Sequence, residues 1–264
     1  MNHQEALKES HELYAAACAL YARCSASGEV ADRGGLRLAN ARHLWAMLNA
    51  AVLTEPVSGP ADLAARVQTA ATYFGHEGRP WFLAAGQAWL GDAAEEALSR
   101  LGLGKIGSVT GMVTEQIAPP VRPLPEVQTR RIADRAGRLV LSDLNADAYG
   151  VPRDWLRDLG LSDTLWQAPL YGYNAYVDGQ AVATSLVIVL GGVLYVGWVV
   201  TAPDYRRRGL AEVVMRCCLA HATRDTGITR TALHSTAEGY PAYLKMGYRP
   251  TGELSLYVPT QGAL

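Results

Sequence analysis

Val199-Val-Thr-Ala-Pro-Asp-Tyr-Arg-Arg-Arg-Gly-Leu-Ala211 is the stretch on which the fold turns. Uncharged β-branched residues lead into it, and Pro203, which lacks an amide hydrogen, stops a strand there. A basic, glycine-bearing turn follows. Behind it Leu210, Val213, Val214, Cys217, Cys218 and His221 recur at spacings of three and four, which predicts an amphipathic helix over 207–224. A strand running through such a turn into a helix can cradle an anion, because the first helical amides have no internal acceptor and point outward with the positive end of the dipole. Gly209 admits close backbone approach, small Ala211 keeps the wall low, and Arg206, Arg207 and Arg208 add charge. A plain strand–turn–helix carrying a solvated arginine run fits the same residues. Residue physics alone leaves both open.

Immediately upstream, residues 181–200 hold no charge at all. Their length and the arginines behind them imitate a membrane span. Against that, the run is rich in β-branched residues and Gly191-Gly192 cuts it in two, which is a hairpin signal; Asp178-Gly179 is another. The pattern predicts a three-strand antiparallel meander over 169–177, 180–190 and 193–201. Around it the expected elements are a strand (126–133), a helical stretch (134–148), a helix from Pro152, a strand (229–235), a helix (238–246) and two short strands to Val258.

The first half has a similar mixed flavour. It reads as an opening amphipathic helix, strand-like segments between Gly28 and Thr54, a helix over 61–74, a strand from Trp81 to Ala85, a helix over 92–101 and a strand over 106–117. Ala118 to Pro125 contains four prolines and is the best domain boundary, dividing the chain into 1–125 and 126–264. Gly102-Leu-Gly104-Lys-Ile-Gly107 matches a dinucleotide-loop spacing, but it follows a helix and precedes a strand, the reverse of the order that loop needs, so it reads as a helix end.

Composition narrows the class of protein. The chain has 264 residues, 49% hydrophobic, with 24 basic against 25 acidic side chains, and its net charge is −1. Such a balance disfavours partners that are nucleic acid or an anionic membrane. Cys18, Cys24, Cys217 and Cys218 have neither disulfide-framework nor zinc spacing, and no metal is expected. Buried reduced thiols in a cytoplasmic setting are the expectation. The first helix lacks the positive flank of a signal peptide, so no export is expected.

Arg206-x-x-Gly209-x-Ala211 resembles the acetyl-CoA pyrophosphate loop of the GNAT superfamily of N-acetyltransferases. Further on, Leu233 to Tyr248 resembles that family's later strand and helix, ending in the Tyr243-x-x-x-Gly247-Tyr248 signature. The resemblance covers 126–264. It implies an α/β (α+β) fold, a mixed, mostly antiparallel sheet flanked by helices, with the first half as a degenerate second copy in tandem that lacks the loop. It also implies acetyl transfer from acetyl-CoA, as co-substrate, to a primary amine by direct attack. Trp198, Val199 and Val200 would contact pantetheine where two strands splay apart; Arg206, Arg207, Arg208, Gly209, Leu210 and Ala211 would surround the pyrophosphate. Gly197 is a candidate bulge, or a close-packing glycine. Tyr243 matches the family's general acid toward the departing thiolate, core packing being its alternative. The general base stays open: Val193–Thr201 holds no carboxylate, and His234 and Glu238 are candidates beside a water chain. A non-catalytic acyl-CoA-binding regulator is the rival reading. The acceptor would be a small-molecule or peptide amine, and a homodimer is compatible with the chain.

Overall fold

The computed structural model describes residues 3–76, 78–91 and 94–260. Contacts divide the chain into two compact units. One comprises Met1–Met112, Ser235–Glu238 and Pro250–Leu264; the other comprises Val113–His234 and Gly239–Arg249. The proline segment 118–125 therefore lies within the second unit. The last strand groups with the first.

In the N-terminal unit α1 (His3–Arg23) precedes a ribbon of β1 (Glu29–Arg33), β2 (Leu36–Asn40) and β3 (Asn49–Leu53). Gly34 and Gly35 both take positive φ, 54° and 73°, the geometry of a two-residue hairpin turn. The helix α2 (Pro60–Gly75) then carries the chain over to β4 (Phe82–Gly86), which lies parallel to β3 with Ala51 beside Leu83. Proline at the first turn suits a helix start, and Leu63, Val67, Ala70, Ala71 and Phe74 form the buried face of α2. Two short helices, α3 (Gln87–Leu90) and α4 (Ala94–Arg100), lead to β5 (Leu103–Thr114). Gly102 takes φ 78° directly after α4, so the glycine spacing at 102–107 is a helix end. Where two short strands were expected at the C-terminus there is one, β11 (Arg249–Pro259), antiparallel to β4.

The second unit opens with β6 (Gln128–Arg131), α5 (Arg135–Tyr149), α6 (Arg153–Gly160) and α7 (Asp163–Gln167). Its meander, β7 (Leu170–Val177), β8 (Gln180–Leu190) and β9 (Val193–Thr201), is turned by Asp178-Gly179 and Gly191-Gly192, all at positive φ. The charge-free run is thus two strands, and among the described residues no helix is long and apolar enough to cross a membrane. After α8 (Leu210–Thr226) comes β10 (Thr231–Ser235), parallel to β9, and then α9 (Tyr240–Lys245). The strand order here is β10-β9-β8-β7-β6.

Two helices cover opposite faces of this meander. Ala183 of β8 packs with Leu210 and Val214 of α8, while Leu186, three positions on and hence on the other face, packs with Leu141 of α5 and Ile132. Burial of each such leucine contributes roughly 1.5–3 kcal/mol. Both units therefore repeat one plan: an antiparallel ribbon, a crossover helix and a parallel strand.

Candidate active site

The register of β9 against its two neighbours creates an opening. On one side Leu194, Tyr195 and Val196 face Thr231, Ala232 and Leu233 of β10, and the register ends there although β9 runs on to Thr201 and β10 to Ser235. On the other side Leu186 faces Gly197 while Thr184 faces Val200, so β9 carries one residue more than β8 between those pairs. That is a β-bulge, which bends its strand. Trp198 sits in it at φ 55°, a conformation that costs a non-glycine residue about 1–3 kcal/mol and persists only where packing enforces it. The enforcing contacts are visible. The Trp198 ring is half-buried against Ile132, Leu141 and Leu186, and Asn145 Nδ2 approaches its carbonyl at 3.5 Å. The bulge falls one residue beyond Gly197, which keeps its pairing with Leu186. Val199 and Val200 follow as half-buried residues of the bent strand.

Beyond β9 a 3₁₀ turn, Pro203–Tyr205, leads to the basic loop. Arg207 and Gly209 both have positive φ, 63° and 85°. Such residues let successive amides converge on one point. Gly209 caps α8 without any side-chain hydrogen bond to the helix amides, and a Cβ on it would come within 3.4 Å of Pro125 Cδ. Leu210 anchors the helix in the core; Ala211 is half-buried. The arginines are exposed, and two brace the loop itself. Arg206 Nε donates to Thr201 O at 3.3 Å, and Arg208 Nη2 donates to Asp204 O at 2.8 Å while its guanidinium lies over Tyr205. The loop therefore presents uncapped amides and fixed positive charge, a set that fits a pyrophosphate. The splay beside Val196 fits an extended chain with its own amides.

Tyr243 lies on α9, held by a chain of contacts. Its ring meets Tyr248 edge-on, with centroids 6.0 Å apart. Tyr248 is fully buried; its hydroxyl is 2.9 Å from Thr231 Oγ1, which donates to Leu194 O of β9 at 2.8 Å. Gly247, at φ 90°, makes the turn that sends Tyr248 inward. Burial, and then the neighbouring Tyr149, push the Tyr243 phenol up to about 12. It stays protonated at any physiological pH. With a thiol near 8.5, complete transfer of that proton to a thiolate would be uphill by roughly three units, so the hydroxyl is better suited to donating a hydrogen bond.

Among the base candidates, Glu238 is exposed in the turn after β10. His234 is half-buried, its Nδ1 2.9 Å from the hydroxyl of buried Tyr195. None of the four cysteines is in a disulfide. Burial pushes the Cys218 thiol far up and that of Cys18 to about 12, so neither is a nucleophile near neutrality. Cys217, expected on the buried face of the helix, is only half-buried. Among the described residues no three His, Cys, Asp or Glu side chains group as a metal site.

The corresponding corner of the N-terminal unit, between β3 and α2, is already filled. Asp62 of the first turn accepts the Ser58 amide hydrogen at 2.8 Å and the Ser58 hydroxyl, and pairs with buried Arg66 at 2.9 Å. Arg66 donates further to Glu55 O and Pro56 O, and the Val57 amide is bonded to Trp89 O beyond β4. A carboxylate is thus already bound to a loop amide just before α2.

The model of the Acetyltransferase (GNAT) family matches residues 139–248, which contain the splay, the loop and Tyr243. Over those residues the chain is similar to GNAT acetyltransferases. A GCN5-related N-acetyltransferase from Kribbella flavida aligns with this chain at a TM-score of 0.67, covering 90% of this chain and 91% of its own at 20% identity. A tandem GNAT protein from the clavulanic acid biosynthesis pathway aligns over 84% of this chain and 77% of its own, at 14% identity and a TM-score of 0.53. At such identities these likenesses concern the fold, a GNAT-type mixed sheet flanked by helices. In sequence, 91 residues are 28% identical to YitH of Bacillus subtilis (strain 168), described as an uncharacterised N-acetyltransferase. The match takes in 34% of this chain and 31% of that protein, so this chain spans under a third of the curated relative it matches.

Proposed function

We propose that the protein is an acetyl-CoA-dependent N-acetyltransferase acting on a primary amine, with one cofactor site, in the C-terminal unit. The observation that carries this reading is the coincidence of the splay after Val196 and Leu233 with an uncapped helix N-terminus at Gly209. Acetyl-CoA would supply the acetyl group as an activated thioester. Amides from Arg207 to Ala211 hold the pyrophosphate, the edges of Trp198 to Val200 receive the pantetheine arm, and the Tyr243 hydroxyl donates to the departing sulfur. Residues 1–125 act as a degenerate copy without a cofactor loop. The acceptor is a small-molecule or peptide amine.

The test is calorimetric. Acetyl-CoA should bind and raise the melting temperature, since a ligand that binds only the native state stabilises it by mass action. Gly209→Val places a branched side chain at a positive-φ position inside the cradle and should abolish both effects while the protein remains folded by circular dichroism. Unchanged affinity in that variant would show that the loop has been misread. A non-catalytic acyl-CoA-binding regulator draws support from one observation, the absence of a carboxylate on β9. Release of CoA in the presence of any primary amine removes it.

A further inference from the structure

We propose that His234, oriented by Tyr195, is the base that takes the proton from the acceptor ammonium. The inference rests on the acetyltransferase reading above and supplies the group that β9 lacks. Its first support is position. Leu233 is the last residue of β10 in register with β9, so His234 is the first residue past the point where the strands part. The second support is the face of the sheet. Leu186 faces Gly197 and Ile188 faces Tyr195, and paired residues share a face, so Tyr195 lies on the side that Leu186 shows to α5. The Tyr195 hydroxyl reaches His234 Nδ1 at 2.9 Å, which brings the imidazole to the same side, away from α8 and the anion loop. A base is needed there, because the amine has to approach the thioester from the side that the pyrophosphate does not occupy.

Tautomer decides the chemistry. When Nδ1–H donates to the Tyr195 oxygen, Nε2 carries the lone pair. The ammonium N–H bond then breaks and an Nε2–H bond forms, leaving a neutral amine and an imidazolium, which later returns the proton to solvent. Tyr195 acts only through the ring, as a positioning residue. Glu238 lies four residues on from His234, exposed in the turn after β10. β8 and β9 carry no charged group between Gln180–Leu190 and Val193–Thr201, and on α5 Asp143 pairs with Arg157, Asp147 with Arg153 and Arg138 with Asp163.

The deciding experiment reads the ring directly and then its effect. In full-length protein labelled with nitrogen-15 histidine, with His234 assigned by its loss in His234→Gln, the ring should be the Nδ1–H tautomer at neutral pH and should titrate between about pH 5 and 8. Tyr195→Phe should move that midpoint or mix the tautomers. An Nε2–H tautomer, or no titration between pH 5 and 9, overturns the proposal whether or not an acceptor is known. With a panel of a polyamine, an aminoglycoside, an amino-acid amide and a lysine peptide, His234→Gln should cut kcat by about 10²-fold and remove the acid limb of the kcat/KM profile. Acetyl-CoA affinity should be unchanged. A retained limb and rate, or lost cofactor binding, defeats the base assignment. Failure of the wild-type protein to bind acetyl-CoA at all defeats the acetyltransferase reading instead.

Discussion

Asp62 and Ser58 close the loop of the N-terminal unit on itself: the carboxylate in the first turn of α2 reaches back to accept the Ser58 amide hydrogen at 2.8 Å. The two crossover helices start alike, behind a proline-bearing loop and a parallel-strand partner. They differ in what the first-turn carboxylate holds: Asp62 takes a loop amide as well as Arg66, whereas Glu212 of α8 pairs with Arg216. An intramolecular carboxylate is present at very high effective concentration and is held further by Arg66, so a free diphosphate has little chance of displacing it.

Acetyl-CoA should therefore bind once per chain. Isothermal titration should give a stoichiometry near one, and Gly209→Val should reduce it to none. A value near two would mean that the N-terminal corner opens and that residues 1–125 have kept a cofactor site.

The same carboxylate makes a prediction about pH. The Arg66 guanidinium, followed by the Ser58 amide, holds the Asp62 carboxyl down to about 2, below the ordinary value near 3.9. A group depressed in the folded state contributes stability that is complete above its unfolded pKa and is lost as pH falls through its folded one. Asp62→Asn should thus lower the melting temperature by a few degrees, about 2–4 °C, at pH 7. The gap should narrow below pH 4 and vanish near pH 2. A gap independent of pH would assign the effect to packing.

Much of this was legible in residue order. Gly191-Gly192 and Asp178-Gly179 mark the turns of the meander, and its strand limits match the reading from sequence to within a residue. Arg206, Gly209 and Ala211 mark the loop because glycine at positive φ and a small wall residue are local demands. What was not legible depends on register. The bulge at Trp198 is a mismatch of one residue between β8 and β9, enforced by Ile132, Leu141 and Leu186 from elsewhere in the chain. A glycine next door was the natural candidate, and it is regular. The pairing of His234 with Tyr195 likewise joins residues 39 apart and leaves no motif. The return of β11 to β4 was not legible either, since pairing between strands so far apart in sequence has no compositional sign.

Tyr243→Phe removes one hydroxyl and keeps the ring edge against Tyr248, so folding and acetyl-CoA affinity should be nearly unchanged. If the hydroxyl donates to the departing sulfur, kcat should fall by about 10²-fold, with little change in KM for the cofactor. The raised phenol adds a condition on the pH profile. A group that stays protonated up to about 12 contributes no basic limb below about pH 11, so the wild-type kcat should stay flat on the alkaline side until the fold itself fails. Alkaline failure is expected to begin earlier than the limb. Tyr243 and Tyr248 are both raised by burial, the folded state binds more protons than the unfolded one above pH 10, and stability is lost as pH climbs through their folded values. An unchanged kcat in Tyr243→Phe, with binding intact, would leave the hydroxyl a packing role. A basic limb near pH 8 or 9 that disappears in the variant would show instead that the bound cofactor pulls the phenol down far enough to make complete proton transfer to the sulfur possible.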